Sequence, residues 1–94
     1  MRLDPVEKKA LEEVLKDVDD EVYLFGSRVD DAKHGGDIDL LIFSEKDPFE
    51  LSRKVAVDFF MECEEKLDVV VMSPNHQNAA EESFLKNLKL EKWK

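Results

Sequence analysis

Cysteine and long apolar runs are scarce in this chain of 94 residues. The single Cys63 cannot form an internal disulfide, and its place among apolar helix positions makes it a small core residue rather than a nucleophile. No apolar run has transmembrane length, and the N-terminus has no apolar signal-peptide segment. We therefore expect a cytoplasmic protein without membrane contact, folded as one domain over residues 1–94.

Positive charge is also scarce. The chain has 14 Lys and Arg residues against 23 Asp and Glu residues, and its formal net charge is −9 at pH 7. Proteins that grip a phosphate backbone normally carry a basic patch that releases counterions. The composition therefore argues against direct binding of a long nucleic acid, although a single nucleotide held through metal ions remains compatible with it.

The three glycines all lie in one stretch, between positions 23 and 43. A strand-like run over 22–25 ends at Gly26 and Ser27, and we expect a short helix over 28–32 to follow. Gly26 and Ser27 fit a plain strand-to-helix turn. They also fit a capped helix start whose backbone N–H groups approach a phosphate closely. Both interpretations place these residues at the carboxyl end of the first strand.

Two aspartates open the next apolar run, which we interpret as a strand over 37–43. Side chains alternate along a strand, so Asp37 and Asp39 share one face. The other face is apolar and should enter the core through Ile38, Leu40 and Ile42. Leu41 and Phe43 continue the Asp face deeper in the sheet, so the strand should be apolar on both faces beyond its first three residues. Close carboxylates raise each other's pKa unless a cation lies between them, and oxygen ligands suit Mg²⁺. The spacing therefore predicts a Mg²⁺ site.

The same spacing occurs at Asp17 and Asp19, in a different context. These residues fall where a helix should end, and no strand-like run follows them directly. We interpret them as solvated charge.

Together, the two halves of the stretch resemble the signature of the polymerase-β-like nucleotidyltransferase superfamily. That signature is G-[GS] followed, after roughly nine to thirteen residues, by D-h-[DE]-h, where h is apolar. Here Gly26 and Ser27 are followed, after nine residues, by Asp-Ile-Asp-Leu at 37–40. The resemblance to the minimal nucleotidyltransferase branch covers most of the chain, roughly positions 6 to 91.

The resemblance also implies a third carboxylate, on a later strand beside the Asp37 strand. Asp68 fits, because it leads into a β-branched run over 69–71 and no other acidic residue after position 43 does so. Taken alone, Asp68 would equally fit a charge at a strand start facing water.

From this resemblance we expect specific roles for the site residues. Asp37 and Asp39 would hold two Mg²⁺ ions against the triphosphate of ATP. Asp68 would hold the second ion and help to activate an acceptor hydroxyl. The nucleotide-binding residues would be Gly26, Ser27 and Arg28.

Helices and strands alternate, which predicts an α+β domain with a mixed sheet of three to four strands flanked by helices. The polymerase-β-like fold implied by the resemblance has the same description. Asp4 and Asp47 each start a helix with the pattern Asp-Pro-x-Glu. We expect these helices to run to about 17 and 66. A last helix, capped by Asn75 or Ser73, should cover about 76–86, and Asn87 can stop it in the left-handed conformation. Residues 88–93 fit either an edge strand or more helix.

Apolar residues at steps of three and four predict the buried helix faces. On the first helix they are Val6, Ala10, Leu11, Val14 and Val18, and on the last Ala80, Phe84 and Leu85. On the second they are Leu51, Val55, Ala56, Phe59, Phe60 and Cys63. Val57 and Met61 lie beside this stripe, so the second helix should be covered on two sides, by the core or by a partner.

The resemblance implies a partner as well as an activity. Stand-alone domains of this size resemble antitoxins that bind a HEPN-domain ribonuclease toxin and adenylylate a tyrosine on it, and this is our leading hypothesis. One alternative is a binding protein that masks a partner without chemistry. Another is a small-molecule nucleotidyltransferase, which would need a homodimer to form its acceptor pocket. The sequence identifies neither the nucleotide base nor the acceptor.

Overall fold

A computed structural model describes residues 3–26, 37–75 and 77–94. Its elements in chain order are α1 (Pro5–Leu15), β1 (Glu21–Phe25), β2 (Ile38–Phe43), α2 (Pro48–Cys63), β3 (Leu67–Met72), α3 (Ala79–Lys86) and β4 (Glu91–Lys92). The four strands form one sheet in the order β3-β2-β1-β4. β2 pairs parallel to β3 and antiparallel to β1, and β1 pairs antiparallel to β4. The predicted α+β fold with a mixed sheet is confirmed.

Both predicted helix starts are present, because an aspartate caps each one. The Glu7 N–H donates to Asp4 Oδ1 at 2.8 Å, and the Asp4 N–H donates back to Glu7 Oε1 at 3.0 Å. The Glu50 N–H donates to Asp47 Oδ1 at 3.0 Å. These bonds satisfy N–H groups that the helix itself leaves without acceptors.

Both helices end earlier than predicted. α1 ends at Leu15 and α2 at Cys63. Glu64 has a φ of +59° and donates its N–H to the Phe60 carbonyl at 2.7 Å. This left-handed cap stops α2 and turns the chain toward β3. The sequence has no glycine at this position, so the usual signal for such a cap was missing.

The period-two pattern of β2 is confirmed on both faces of the sheet. Ile38, Leu40 and Ile42 enter the main core, which α1 and α2 complete from one side. Leu41 enters a second cluster on the opposite face with Phe25 and Met72. The segment after β3 partly covers this second cluster through Leu85, Leu88 and Leu90. The sheet therefore lies between two apolar layers.

The C-terminal segment differs from the prediction at its helix start. Asn78, and neither Ser73 nor Asn75, caps α3: Glu81 N–H donates to Asn78 Oδ1 at 2.8 Å, and Asn78 N–H donates to Glu81 Oε1 at 3.0 Å. α3 accordingly begins at Ala79. Reciprocal bonding to Glu81 favours this cap, because Asn78 is the candidate with a glutamate three residues later.

The chain after α3 differs from one prediction, for Asn87, and decides between the two alternatives for residues 88–93. Asn87 has a φ of −100°, so the predicted left-handed conformation is wrong. Residues 91 and 92 form β4 on the outer edge of β1, with Leu24 opposite Glu91 and Tyr23 opposite Lys92. The edge-strand alternative for 88–93 is therefore the correct one, over two residues.

Several apolar helix residues predicted to be inward face solvent instead. Val6 on α1 is 61% exposed, and Ala80 on α3 is exposed. Phe84 on α3 is 37% exposed but does face inward, because its ring packs edge-on against Phe25 with 5.8 Å between the ring centroids. On α2, Leu51, Val55 and Phe59 are buried as predicted. Phe60, however, is 52% exposed, so its assignment to the core is wrong. Four large apolar residues line one side of α2 in solvent, and we call them the exposed α2 face: Phe49, Val57, Phe60 and Met61.

Cys63 lies at the end of α2, partly buried against the main core. Its Sγ donates to the Phe59 carbonyl at 3.5 Å. Burial raises the pKa of the thiol, which keeps it protonated and unreactive. Its predicted structural role agrees with this environment.

None of the helices in the described ranges has the length and apolar character needed to cross a bilayer.

Candidate functional site

The sheet register brings the predicted carboxylates to one end of three neighbouring strands. Asp39, the second residue of β2, lies opposite Asp68, the second residue of β3. Phe25, the last residue of β1, lies on the other side of Asp39. Asp37 directly precedes β2. Parallel pairing of β2 with β3 and antiparallel pairing with β1 therefore gather Asp37, Asp39, Asp68 and the end of β1 at the same edge.

Gly26 follows β1 and lies directly against Asp39. Its φ is +80°, a conformation that other residues rarely adopt. A Cβ built on Gly26 would lie 2.3 Å from Asp39 Oδ2 and 3.2 Å from Asp39 Cγ. The positive φ favours glycine, and a Cβ here would force the Asp39 carboxylate to move. The absence of a side chain lets the backbone after β1 reach the central carboxylate.

The local field disfavours negative charge at Asp39. Burial is the first cause of a raised pKa at this carboxyl, and the negative charges of Asp68 and Asp37 raise it further. The positive charge of Lys66 acts in the opposite direction and lowers it. A cation placed among these carboxylates would relieve the repulsion.

Lys66 is a site residue that sequence reasoning missed. Its Nζ lies 3.8 Å from Asp37 Oδ2 and 3.8 Å from Asp68 Oδ1. The signal was available, because residues two apart in an extended segment share a face and Lys66 stands two positions before Asp68. It was overlooked because the prediction placed position 66 at the end of a helix.

The donor set suits a hard divalent cation. Asp37, Asp39 and Asp68 all offer carboxylate oxygens, the ligand type that Mg²⁺ prefers. The side chains of Asp37 and Asp68 are about half exposed, at 50% and 46%, so an ion can reach them from solvent. The ligand chemistry of Asp37, Asp39 and Asp68 therefore fits a metal, and the missing side chain of Gly26 leaves space for the Asp39 carboxylate.

A second acidic group occurs elsewhere among the described residues. Oxygens of Asp4, Glu7 and Glu65 lie within 4.8 Å of one another. Asp4 and Glu7 already use their carboxylates to bond each other's backbone N–H at the start of α1. We assign this group to the helix cap. Asp17 and Asp19, the other pair with D-x-D spacing, are exposed as predicted.

Part of the predicted phosphate site lies outside the described residues. Ser27, Arg28 and the short helix predicted over 28–32 all fall there. Their predicted contacts with a nucleotide therefore stay predictions. The described residues do place Gly26 at the position from which this segment starts.

Comparison with known proteins gave one match. A family model with the description "nucleotidyltransferase domain" matches residues 7–94. This range contains every residue of the site described above. No curated protein and no solved structure matched the chain.

Proposed function

The chain belongs to the nucleotidyltransferase domain family, and from this premise we propose that it transfers AMP from ATP to a hydroxyl group of a partner protein. Members of such a family are transferases that generally use a nucleoside triphosphate and a divalent metal. The observation that carries the proposal is the register of Asp39 opposite Asp68, with Gly26 packed against the Asp39 carboxylate. This arrangement concentrates negative charge where a metal-bound triphosphate would dock.

In the proposed site, Asp37, Asp39 and Asp68 would hold two Mg²⁺ ions. When bound, the ions neutralise charge on the triphosphate and on the leaving group. Gly26 lets the backbone approach a phosphate without a steric clash, and Ser27 and Arg28 are proposed to bind phosphate oxygens. The site does not need a side-chain nucleophile.

The proposed reaction is an in-line displacement at the α-phosphorus. The acceptor hydroxyl oxygen forms a bond to the α-phosphorus. The bond between the α-phosphorus and the oxygen that bridges the α- and β-phosphates breaks. Asp68 takes the hydroxyl proton, pyrophosphate leaves, and the acceptor carries AMP through a phosphodiester bond. Half exposure of Asp68 leaves it accessible to a hydroxyl arriving from solvent or from a partner.

The proposed acceptor is a tyrosine of a HEPN-type ribonuclease toxin, for which this chain acts as antitoxin. Two features support a protein acceptor. The exposed α2 face offers solvent-exposed apolar surface of the kind that binds proteins. The net charge of −9 favours a basic partner over a nucleic acid.

The exposed α2 face also favours a second candidate function, in which the chain masks a partner without chemistry. This function would need the apolar face and would have no use for three carboxylates gathered at one edge of the sheet. The small-molecule alternative differs again, because it needs a homodimer to complete an acceptor pocket. The first two candidates make different predictions for the same pair of variants.

The test is Asp37→Asn with Asp39→Asn, assayed for AMP transfer to the HEPN partner with ATP and Mg²⁺. The matched control is Asp17→Asn with Asp19→Asn, which makes the same charge change at the same spacing on exposed residues. We expect the site variant to lose transfer and the control to keep it. Full neutralisation of the partner by the site variant would support masking, and transfer at the normal rate would overturn the mechanism.

A further inference from the structure

Lys66 lies between two of the proposed metal ligands. Its Nζ is 3.8 Å from an oxygen of Asp37 and 3.8 Å from an oxygen of Asp68. We infer that Lys66 is a tethered counter-ion for the carboxylates, which a divalent ion must displace, so that this side chain weakens metal binding. The inference rests on the proposed metal site and adds a positioning residue that controls its occupancy.

The contacts of Lys66 are those of a displaceable charge. At 3.8 Å both ion pairs are longer than a hydrogen bond, so Coulomb attraction holds the ammonium without directional bonds. The side chain is 71% exposed, and lysine has a flexible stem with a compact charge. Such a group can leave the carboxylates without disturbing the sheet.

The structure also offers the stem of Lys66 an apolar surface. Lys66 lines a groove of about 500 Å³ beside α2, together with Ala56, Val57, Phe60 and Leu67. The methylene groups of a lysine pack well on apolar surface while its ammonium stays in water. When a metal ion occupies the site, the stem can remain on this groove while the ammonium points away from Asp37 and Asp68.

The expected gain in metal affinity on replacing Lys66 depends on the solvent exposure of its ion pairs. Among the described residues, Lys66 is the cation shown at ion-pair distance from both Asp37 and Asp68. Exposed ion pairs are individually weak, so removing two of them should tighten metal binding by about three- to tenfold. The gain should shrink at high salt, because salt screens exposed charges.

The experiment measures Mn²⁺ affinity by electron paramagnetic resonance without nucleotide. Lys66→Met is compared with Lys54→Met, since Lys54 is similarly exposed at 67% and pairs with Asp58 away from the site. We expect Lys66→Met to bind Mn²⁺ about three- to tenfold more tightly, and Lys54→Met and Lys66→Arg to bind within about twofold of the unmodified protein. Equal affinities for Lys66→Met and Lys54→Met, or weaker binding by Lys66→Met, would overturn the inference.

Two further arms separate this inference from the proposed function. Loss of Mn²⁺ binding in Asp37→Asn with Asp39→Asn establishes the metal site, and an unchanged Lys66→Met affinity then overturns the inference about Lys66 alone. If Asp37→Asn with Asp39→Asn leaves Mn²⁺ affinity unchanged, both the proposed metal site and the inference about Lys66 are overturned. In EDTA, a double-mutant cycle of Lys66→Met and Asp68→Asn should give non-additive melting temperatures, and additive values would contradict the ion pair.

Discussion

Gly26 sets how closely the backbone approaches the Asp39 carboxylate. Gly26→Ala would put a Cβ 2.3 Å from Asp39 Oδ2 at a φ of +80°. We expect the free energy of unfolding to fall by about 1–2 kcal/mol and the transfer rate to fall by about 10- to 100-fold, because the carboxylate must move. Urea denaturation and AMP transfer measure the two effects.

The control for Gly26 uses the same substitution in an Asp39→Ala background. There the clashing oxygen is gone and only the strain of the positive φ remains, so Gly26→Ala should cost less stability. An equal cost in both backgrounds would show that contact with Asp39 is unimportant.

Asp39 gives a pH dependence whose sign is fixed by its surroundings. Burial, with Asp68 and Asp37, raises its pKa in the folded state above the ordinary value of 3.8. The folded state therefore binds this proton more tightly, and stability falls as pH rises from the ordinary value through the raised one. Asp39→Asn removes this penalty.

In EDTA at pH 7 we accordingly expect Asp39→Asn to melt at a higher temperature than the unmodified protein. The difference should vanish in acid, below the ordinary carboxyl pKa, where Asp39 is protonated in both folded and unfolded chains. Thermal melts across pH measure this. A variant less stable than the unmodified protein at pH 7 in EDTA would contradict the electrostatic account.

At the scale of elements, the start of α3 depends on one capping residue. Asn78→Ala removes the acceptor for the Glu81 N–H and should destabilise α3 by about 1 kcal/mol. No residue of α3 is fully buried, so the helix should open locally rather than with the whole domain. Amide hydrogen exchange over 79–86 measures the effect. Asn75→Ala is the matched control, and a larger effect there would contradict the assigned cap.

The exposed α2 face is the proposed docking surface for the acceptor protein. Its Val57 and Phe60 line the groove that also contains Lys66, which makes the face continuous with the site. Phe60→Ser with Met61→Ser should weaken binding of the proposed HEPN partner at least about tenfold by calorimetry, because the apolar surface proposed to contact it is lost. The stability of the chain alone should change little, since these side chains are 52% and 78% exposed.

Val6→Ser on α1 is the control for this face, because Val6 is 61% exposed on a different helix. It should leave partner affinity unchanged. If the chain alone forms a homodimer, and Phe60→Ser with Met61→Ser dissociates it, the exposed α2 face binds a second copy of the chain instead. Unchanged partner affinity in Phe60→Ser with Met61→Ser would show that the exposed α2 face is not the docking surface.

Over the whole molecule, the sequence predicts most of what local rules determine. Alternation along 37–43 correctly gave two buried faces and the shared face of Asp37 and Asp39, because a strand fixes these directions within a few residues. The pairing of Asp39 with Asp68 depends instead on the parallel register of distant strands. The family resemblance implied that proximity, and the residue pattern alone did not.

The errors have a common physical origin in tertiary context. The periodicity that buries Phe59 also includes Phe60, and spacing alone does not distinguish a core from a surface left for a partner. Ser73, Asn75 and Asn78 are all acceptable caps, and the bond to Glu81 selects among them. The role of Lys66 could not follow from helix periodicity, because the left-handed Glu64 ends α2 before it.

The central claim is that Asp37, Asp39 and Asp68 support transfer of AMP to a partner protein. Intact mass spectrometry of the chain mixed with the proposed HEPN partner, ATP and Mg²⁺ tests it most directly. The account predicts that the partner gains the mass of one or more AMP groups, and that the gain disappears in EDTA or with Asp37→Asn and Asp39→Asn. A stable complex without added mass, or added mass that persists in the double variant, would contradict it.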